Sequence, residues 1–304
     1  MTHSDPPPSR KPRRFWLYAP YVGLAVLILA WSGVWLWTRA ETERRLDAGA
    51  AALRAAGWQV GWSARHVHGY PFRLDLDLDD AWLVEPSGWG LRTPALKSEA
   101  YVFAATHWLF AAPAGLTIER PRGGAVAVSA RLLRASVGDP DLHPPNLAFE
   151  GDALTFTPAP GAAPFWLTQA RIVQVYARPG PDDQGAIFAS VDGGSTPGDS
   201  PIARLAGGQP VELKLEAVIS HAAALAGPDW RRAVTNWSSS GGAIEVDDLV
   251  ISSHGAGLEA HAGTLSAGAD GRLAGSLSAS APLVFKSGRT WVGAADIGPA
   301  PALF

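Results

Sequence analysis

The side chains best suited to metal chemistry lie in one short stretch of the sequence. Four carboxylates there could offer oxygen ligands to Ca²⁺: Asp75, Asp77, Asp79 and Asp80. His66 and His68 are two residues apart and could share a strand face as zinc ligands, whereas His107 is isolated in the sequence. The aspartates have no glycine-containing ligand loop around them, and the histidines have no third ligand close by in the sequence. A solvated strand face is therefore the favoured interpretation, and we predict no metal site.

The sequence also lacks the common catalytic motifs. It has no Walker A loop, no G-x-S-x-G or H-E-x-x-H segment, and no G-x-G-x-x-G between a predicted strand and a helix. Cysteine is absent, which excludes disulfides and thiolate chemistry. We therefore predict a non-enzymatic protein with no catalytic residue, no cofactor and no cofactor-binding residue. The net charge of −3 and the lack of a basic stripe argue against nucleic-acid binding.

One segment is long and apolar enough to cross a membrane. Residues 15–38 carry no charge, and as a helix they would rise about 36 Å against a hydrocarbon core of roughly 30 Å. Aromatic side chains, which prefer the headgroup zone, lie near both ends of this segment: Phe15, Trp16, Tyr18, Tyr21, Trp31, Trp35 and Trp37. The sequence therefore predicts a transmembrane helix over residues 15–38.

The flanks of this segment predict its direction. Residues 1–14 form a Pro-rich tail in which basic residues outnumber acidic ones, so the positive-inside rule predicts a cytoplasmic N-terminus and an exported C-terminal part. The apolar stretch is longer than that of a signal peptide, and its end, Trp35-Leu36-Trp37-Thr38-Arg39, offers no small-residue cleavage site. We predict an uncleaved signal anchor.

Residues 39–57 have the apolar period of a helix, because Leu46, Ala50 and Leu53 fall on one stripe. Gly57 predicts the end of this juxtamembrane helix. Such a helix would hold the following domain away from the membrane surface.

From Trp58 the apolar period changes to two, so residues 58–304 are predicted to form an exported β-rich domain. The clearest strand has Phe72, Leu74, Leu76 and Leu78 on one face and charged residues on the other. Further strands are predicted at 95–104, 124–135, 146–157, 170–178, 211–218, 243–252, 257–266, 272–280 and 290–297.

The remaining segments of this domain are predicted to be turns and a few short helices. Helices are expected near 201–206 and 220–237, and the polar segment 179–201 is a long connection or a boundary between two sub-sheets. Because most strands are joined by short turns, we predict a mainly β fold, an elongated and strongly twisted antiparallel sheet.

A nearly uninterrupted apolar run over residues 100–112 permits two interpretations. It is too short to span a membrane as a helix, so the favoured one is a strand buried on both faces. The alternative is an apolar surface that faces lipid or a partner, with Tyr101, Phe103, Trp108 and Phe110 as its contact residues.

The segment from Trp58 to Leu83, centred on Gly69-Tyr70-Pro71-Phe72-Arg73, resembles the bacterial family catalogued as domain of unknown function 2125. The resemblance covers most of residues 15–304, and later matching segments are 242–246, 263–266, 270–277, 288–293 and 297–301. It implies an N-terminal anchor and a β-rich body, and it supplies no catalytic residues. We interpret the central motif as a folding device in which Gly69 permits a tight turn, Pro71 extends Tyr70, and Phe72 begins the buried face.

The rhythm of glycines and Asp-Gly turns in the last third also looks like that of AsmA-like envelope proteins, which project β-sheets with apolar grooves from the inner membrane. This likeness implies an inner-membrane protein with a periplasmic domain and a role in lipid handling or lipid homeostasis, with membrane lipid as its partner. An alternative is a structural or assembly factor that binds another envelope protein through a sheet edge or the 220–237 helix. A hydrolase with an unrecognised site is the third hypothesis.

Overall fold

A single long helix precedes the β-rich body. The computed structural model describes residues 15–104, 106–198, 203, 206–227, 229–253, 256–268, 272–281, 291–292 and 295–297. Helix α1 (Phe15–Ala55) unites the predicted transmembrane and juxtamembrane helices without a break. It ends as predicted at Gly57, which has a φ of 90° and lets the Trp58 N–H donate to the Leu53 carbonyl. By length and composition alone, this helix could cross a membrane.

Among its described residues, the body has seventeen named strands and three short helical segments with defined bounds. The strands are β1 (Gln59–Gly61), β2 (Ala64–His68), β3 (Arg73–Val84), β4 (Gly90–Tyr101), β5 (His107–Ala111), β6 (Leu116–Glu119), β7 (Val126–Ser129), β8 (Leu132–Gly138), β9 (Asn146–Pro158), β10 (Gln169–Pro179), β11 (Gly185–Gly194), β12 (Val211–Ile219), β13 (Ala243–Ser253), β14 (Ala256–Ala267), β15 (Leu273–Ala281), β16 (Trp291–Val292) and β17 (Ala295–Ile297). The helical segments are two 3₁₀ turns (Val102–Ala104 and Ala222–Ala224) and α2 (Trp230–Ser239).

All named strands join one antiparallel sheet, so the predicted mainly β, antiparallel fold is confirmed. Strands β1 and β2 pair with the outer edge of β3, which pairs with β4. Between β4 and β9 lie two short strand pairs side by side, β5–β8 and the hairpin β6–β7. In each pair one strand is hydrogen-bonded to β4 and the other to β9. Strands β9 to β15 continue as a meander in chain order.

Helix α2 begins beside the turn that joins β3 to β4. The Trp230 N–H donates to the buried Glu85 carboxylate at 2.9 Å, across 145 residues of sequence.

Several predicted strands differ from those observed. The segment 179–201, predicted as a polar connection, contains β11, which is hydrogen-bonded to β10 and β12. The predicted strand 124–135 is two strands, and the apolar run 100–112 is not one buried strand, because β4 ends at Tyr101 and β5 begins at His107. Most of the predicted helix at 201–206 lies outside the described residues.

The body packs back along α1. Leu46 of α1 packs against the buried face of β3, where Leu74, Leu76 and Leu78 lie as predicted. Arg65 of β2 donates to Asp47 at 2.7 Å, and Tyr70 bonds with Ser32 at 2.9 Å. Strand β2 therefore runs beside the helix towards its N-terminal part.

Candidate functional site

A continuous trough follows one face of the sheet. Residues that lie directly opposite one another on successive strands share a face, and one such line of residues forms the floor of the trough. We call it the apolar row: Leu109, Ser136, Ala148, Tyr176 and Phe188. A cavity of about 560 Å³ lies above the β5–β10 part of this row. That volume is within the range of small-molecule sites.

A second line of residues lies on the same face, two residues further along each strand, and it has a different chemistry. We call it the charged row: Ala111, Arg134, Glu150, Gln174, Ser190 and Lys214. Its charges are paired within the sheet, since Arg134 donates to Glu150 at 2.7 Å and Lys214 to Asp248 at 3.2 Å.

The two rows are joined by one hydroxyl group. Tyr176 of the apolar row donates to Glu150 at 2.7 Å, and this bond lowers the pKa of the Glu150 carboxyl, with Arg134 adding to the effect. The same bond raises the pKa of Tyr176. The hydroxyl is thus drawn towards the charged row, which leaves the tyrosine ring to line the cavity.

The end of the trough beside α1 carries polar groups at its rim. Arg73 bonds with Asp75 at 2.7 Å and lies 3.4 Å from Glu99, and its pKa is raised chiefly by the hydrogen bond to Asp75. Arg178, on the opposite side of the cavity, has no ion pair with any residue that the structure describes. One guanidinium near this cavity is therefore free to meet an anionic group.

The same rim holds the arrangement closest to a catalytic one. His107 accepts or donates a hydrogen bond with Thr106 at 3.1 Å and lies 3.7 Å from Asp139. His107 and Asp139 are both well exposed, and Ser136 lines the same cavity without a hydrogen bond to His107 within the described part of the chain.

The Gly69–Arg73 motif forms the loop by which the body contacts α1. The Trp31 indole N–H donates to the Pro71 carbonyl at 2.8 Å, and Trp35 donates to the Arg73 carbonyl at 2.9 Å. Gly69 has a φ of 103°, and a side chain there would meet the Arg73 carbonyl at 2.8 Å, so the turn requires glycine. Phe72 does not begin the buried face as predicted. Its ring is 60% exposed and stands 6.1 Å from the Trp31 ring.

The four residues predicted as an apolar contact surface are distributed over two places. Tyr101 and Phe103 stack on each other at 5.2 Å and are largely exposed beside the Phe72 loop. Trp108 packs against the buried face of β3 and also borders the cavity, whereas Phe110 borders the neighbouring part of the trough.

The acidic and imidazole cluster of the sequence is an ion-pair network on β2 and β3. His68 lies 3.3 Å from both Asp75 and Asp77, and His66 lies 4.0 Å from Asp79. Asp75 is buried beside Arg73, so the prediction of a fully solvated acidic face is wrong at this position. Among the described residues, no group of three or more His, Asp or Glu side chains is arranged to hold a metal ion.

Sequence reasoning missed most of the cavity lining. Ala148, Tyr176 and Arg178 were recognisable only as alternate positions of predicted strands, and Leu109 fell in a run assigned to one buried strand. Their meeting depends on strand order and register, for which a single sequence has no direct signal.

Fold and site together define a class of protein with one long apolar helix and a twisted antiparallel sheet that carries an apolar trough. A family model described as an uncharacterized protein conserved in bacteria matches residues 35–281. The chain therefore belongs to this family, domain of unknown function 2125, as the resemblance in the sequence implied. No curated protein and no solved structure was found to match the chain.

Proposed function

We propose that this protein is a non-enzymatic envelope protein, anchored in the inner membrane by α1, that binds the acyl chain of a phospholipid in its trough. The observation that carries the proposal is the position of the apolar cavity. Arg73 and Tyr101 line the cavity and also belong to the hairpin ends that lie beside the apolar part of α1.

The anchor is supported by the exposed apolar part of α1, and its direction by the residues that precede α1. The exposed side chains of α1 between Tyr21 and Ala30 carry no charge and would be costly to leave in water. Basic residues precede the helix, which favours a cytoplasmic N-terminus and a periplasmic body.

A lipid ligand is supported by the chemistry of the trough. Leu109 is 47% exposed on the cavity wall, so the free protein leaves apolar surface in water that an acyl chain would cover. Arg178 lines the same cavity and could bind the phosphate of the headgroup. Lipid handling at this site would need neither a metal nor a catalytic residue.

Photocrosslinking of the full-length protein tests this function. Vesicles of phosphatidylethanolamine and phosphatidylglycerol would contain a trace of phosphatidylglycerol with a diazirine at the end of one acyl chain. We expect adducts on peptides from β5, β8, β9 and β10, in addition to α1. Ala148→Trp fills the floor of the cavity and should reduce the trough adducts at least fivefold while leaving the α1 adducts unchanged.

Ala127→Trp is the matched control, because Ala127 is an exposed residue of β7 outside the trough and should keep wild-type adducts. Adducts confined to α1, or equal trough adducts in Ala148→Trp and wild type, would overturn the proposal. A single dominant protein crosslink in cells without trough adducts would favour the assembly-factor alternative.

A further inference from the structure

The part of α1 that precedes its first described contact with the body is shorter than a membrane is thick. Side chains from Tyr21 to Ala30 are all exposed, and the contacts with the body begin at Trp31 on one side of the helix, while apolar side chains as far as Trp37 remain exposed on the other. The helix from Phe15 to Ala30 rises about 24 Å, whereas the hydrocarbon core is roughly 30 Å thick. If basic residues hold the start of α1 at the cytoplasmic surface, the body begins about 6 Å before the hydrocarbon ends.

The part of the body at this level consists of two hairpin ends with exposed aromatic side chains. We call them the aromatic tip: Tyr70, Phe72, Tyr101 and Phe103. All four are more than half exposed, and Phe103 is the most exposed at 72%. The Val102 N–H donates to the Phe72 carbonyl at 3.1 Å, which joins the two ends into one unit.

The tip is also fixed to the helix at that depth. Trp35 is only 5% exposed and contacts Tyr70 edge-on, with ring centroids 5.6 Å apart. The indole bonds from Trp31 and Trp35 reach backbone carbonyls of the tip loop, so they satisfy polar groups that lipid could not. The tip cannot move away from α1 without breaking these contacts.

We propose that the aromatic tip inserts into the periplasmic leaflet of the bilayer that α1 crosses. The proposal rests on the anchoring part of the proposed function and does not require lipid binding in the trough. Phenyl rings would lie among the acyl chains and the Tyr101 hydroxyl near the headgroups, whereas the Tyr70 hydroxyl is already bonded to Ser32 of α1. Insertion brings the mouth of the cavity, at Arg73 and Tyr101, to the level of the headgroups.

Depth-dependent quenching measures the insertion directly. The chain has no cysteine, so Phe103→Cys, Trp89→Cys and Leu27→Cys each provide a single thiol for a bimane label. Full-length variants would be reconstituted in phosphatidylethanolamine–phosphatidylglycerol vesicles with nitroxides at shallow or deep acyl positions. We expect shallow nitroxides to quench the label at 103 at least threefold more than the label at 89.

Trp89 is the matched control, because it is an exposed aromatic residue at the opposite end of the β3–β4 hairpin. The label at 27 reports the anchor and should be quenched by the deep nitroxide. Quenching at 27 with equal, weak quenching at 103 and 89 would overturn tip insertion and leave the anchor intact. Absence of quenching at 27 would overturn both.

Discussion

The apolar row and the charged row lie on the same face of the same strands, yet they differ completely in chemistry. In the apolar row, Leu109 and Ala148 border an open cavity. In the charged row, Arg134 and Glu150 are hydrogen-bonded to each other. Alternation gives a strand its two faces, but it does not determine how the chemistry changes along one face. Of the described residues in these two rows, those of the apolar row therefore leave apolar surface open to a ligand in the cavity.

Replacement of Leu74 should have the largest effect on the free energy of unfolding. Comparing it with replacement of Leu109 distinguishes a buried apolar side chain from an exposed one. Leu74→Ala should lower the free energy of unfolding by about 2–5 kcal/mol, because the side chain is fully buried under α1 and Trp62. Leu109→Ala removes a half-exposed leucine from the cavity wall and should cost less than about 1 kcal/mol. Thermal unfolding of the reconstituted protein measures both changes. Equal losses would mean that the apolar row is part of the core.

A charge placed in each row should break or confirm the contrast between them. Ala148→Glu puts a carboxylate into the apolar floor and should reduce the yield of trough adducts with the diazirine lipid by about tenfold, since binding would bury an unpaired charge. Ser190→Glu makes the same kind of change in the charged row and should alter the yield less than twofold. Similar losses in the two variants would contradict a graded trough.

The Tyr176–Glu150 bond should make the link between the rows sensitive to pH. The pKa of Glu150 is lowered in the folded state. The ionised Glu150 carboxylate therefore stabilises the fold fully above the ordinary carboxyl pKa, and this stabilisation is lost as the pH falls through the lowered pKa. Tyr176→Phe should therefore destabilise the protein by about 1 kcal/mol at pH 7 and by less once the pH falls below the lowered pKa of Glu150. Melting curves across this pH range provide the measurement. In a Glu150→Gln background the pH dependence of the Tyr176→Phe effect should disappear, and its persistence would assign it to another group.

Much of the fold followed from local patterns. The alternation of Leu74, Leu76 and Leu78 correctly predicted the buried face of β3, and Gly57 correctly predicted the end of α1. Strand β11 was missed because its glycines and small polar residues resemble a loop, and its place between β10 and β12 is decided by pairing with distant strands.

The candidate site was less accessible to sequence reasoning than the fold. Phe72 continued the alternation of β3 and was assigned to the core, but the adjoining Gly69–Pro71 turn directs it towards Trp31. The cavity brings together residues from six strands, so its existence depends on strand order and register. Only the composition of residues 100–112 gave a signal for exposed aromatic side chains.

The continuity of α1 through residue 55 links the orientation of its apolar N-terminal part to that of the sheet. The body is hydrogen-bonded to the helix at Ser32, Trp35 and Asp47, over about 16 of its 41 residues. A helix embedded in a thinner bilayer tilts to keep its apolar residues covered. The whole body would lean by the same angle, so the local thickness of the lipid would steer the direction in which the trough points.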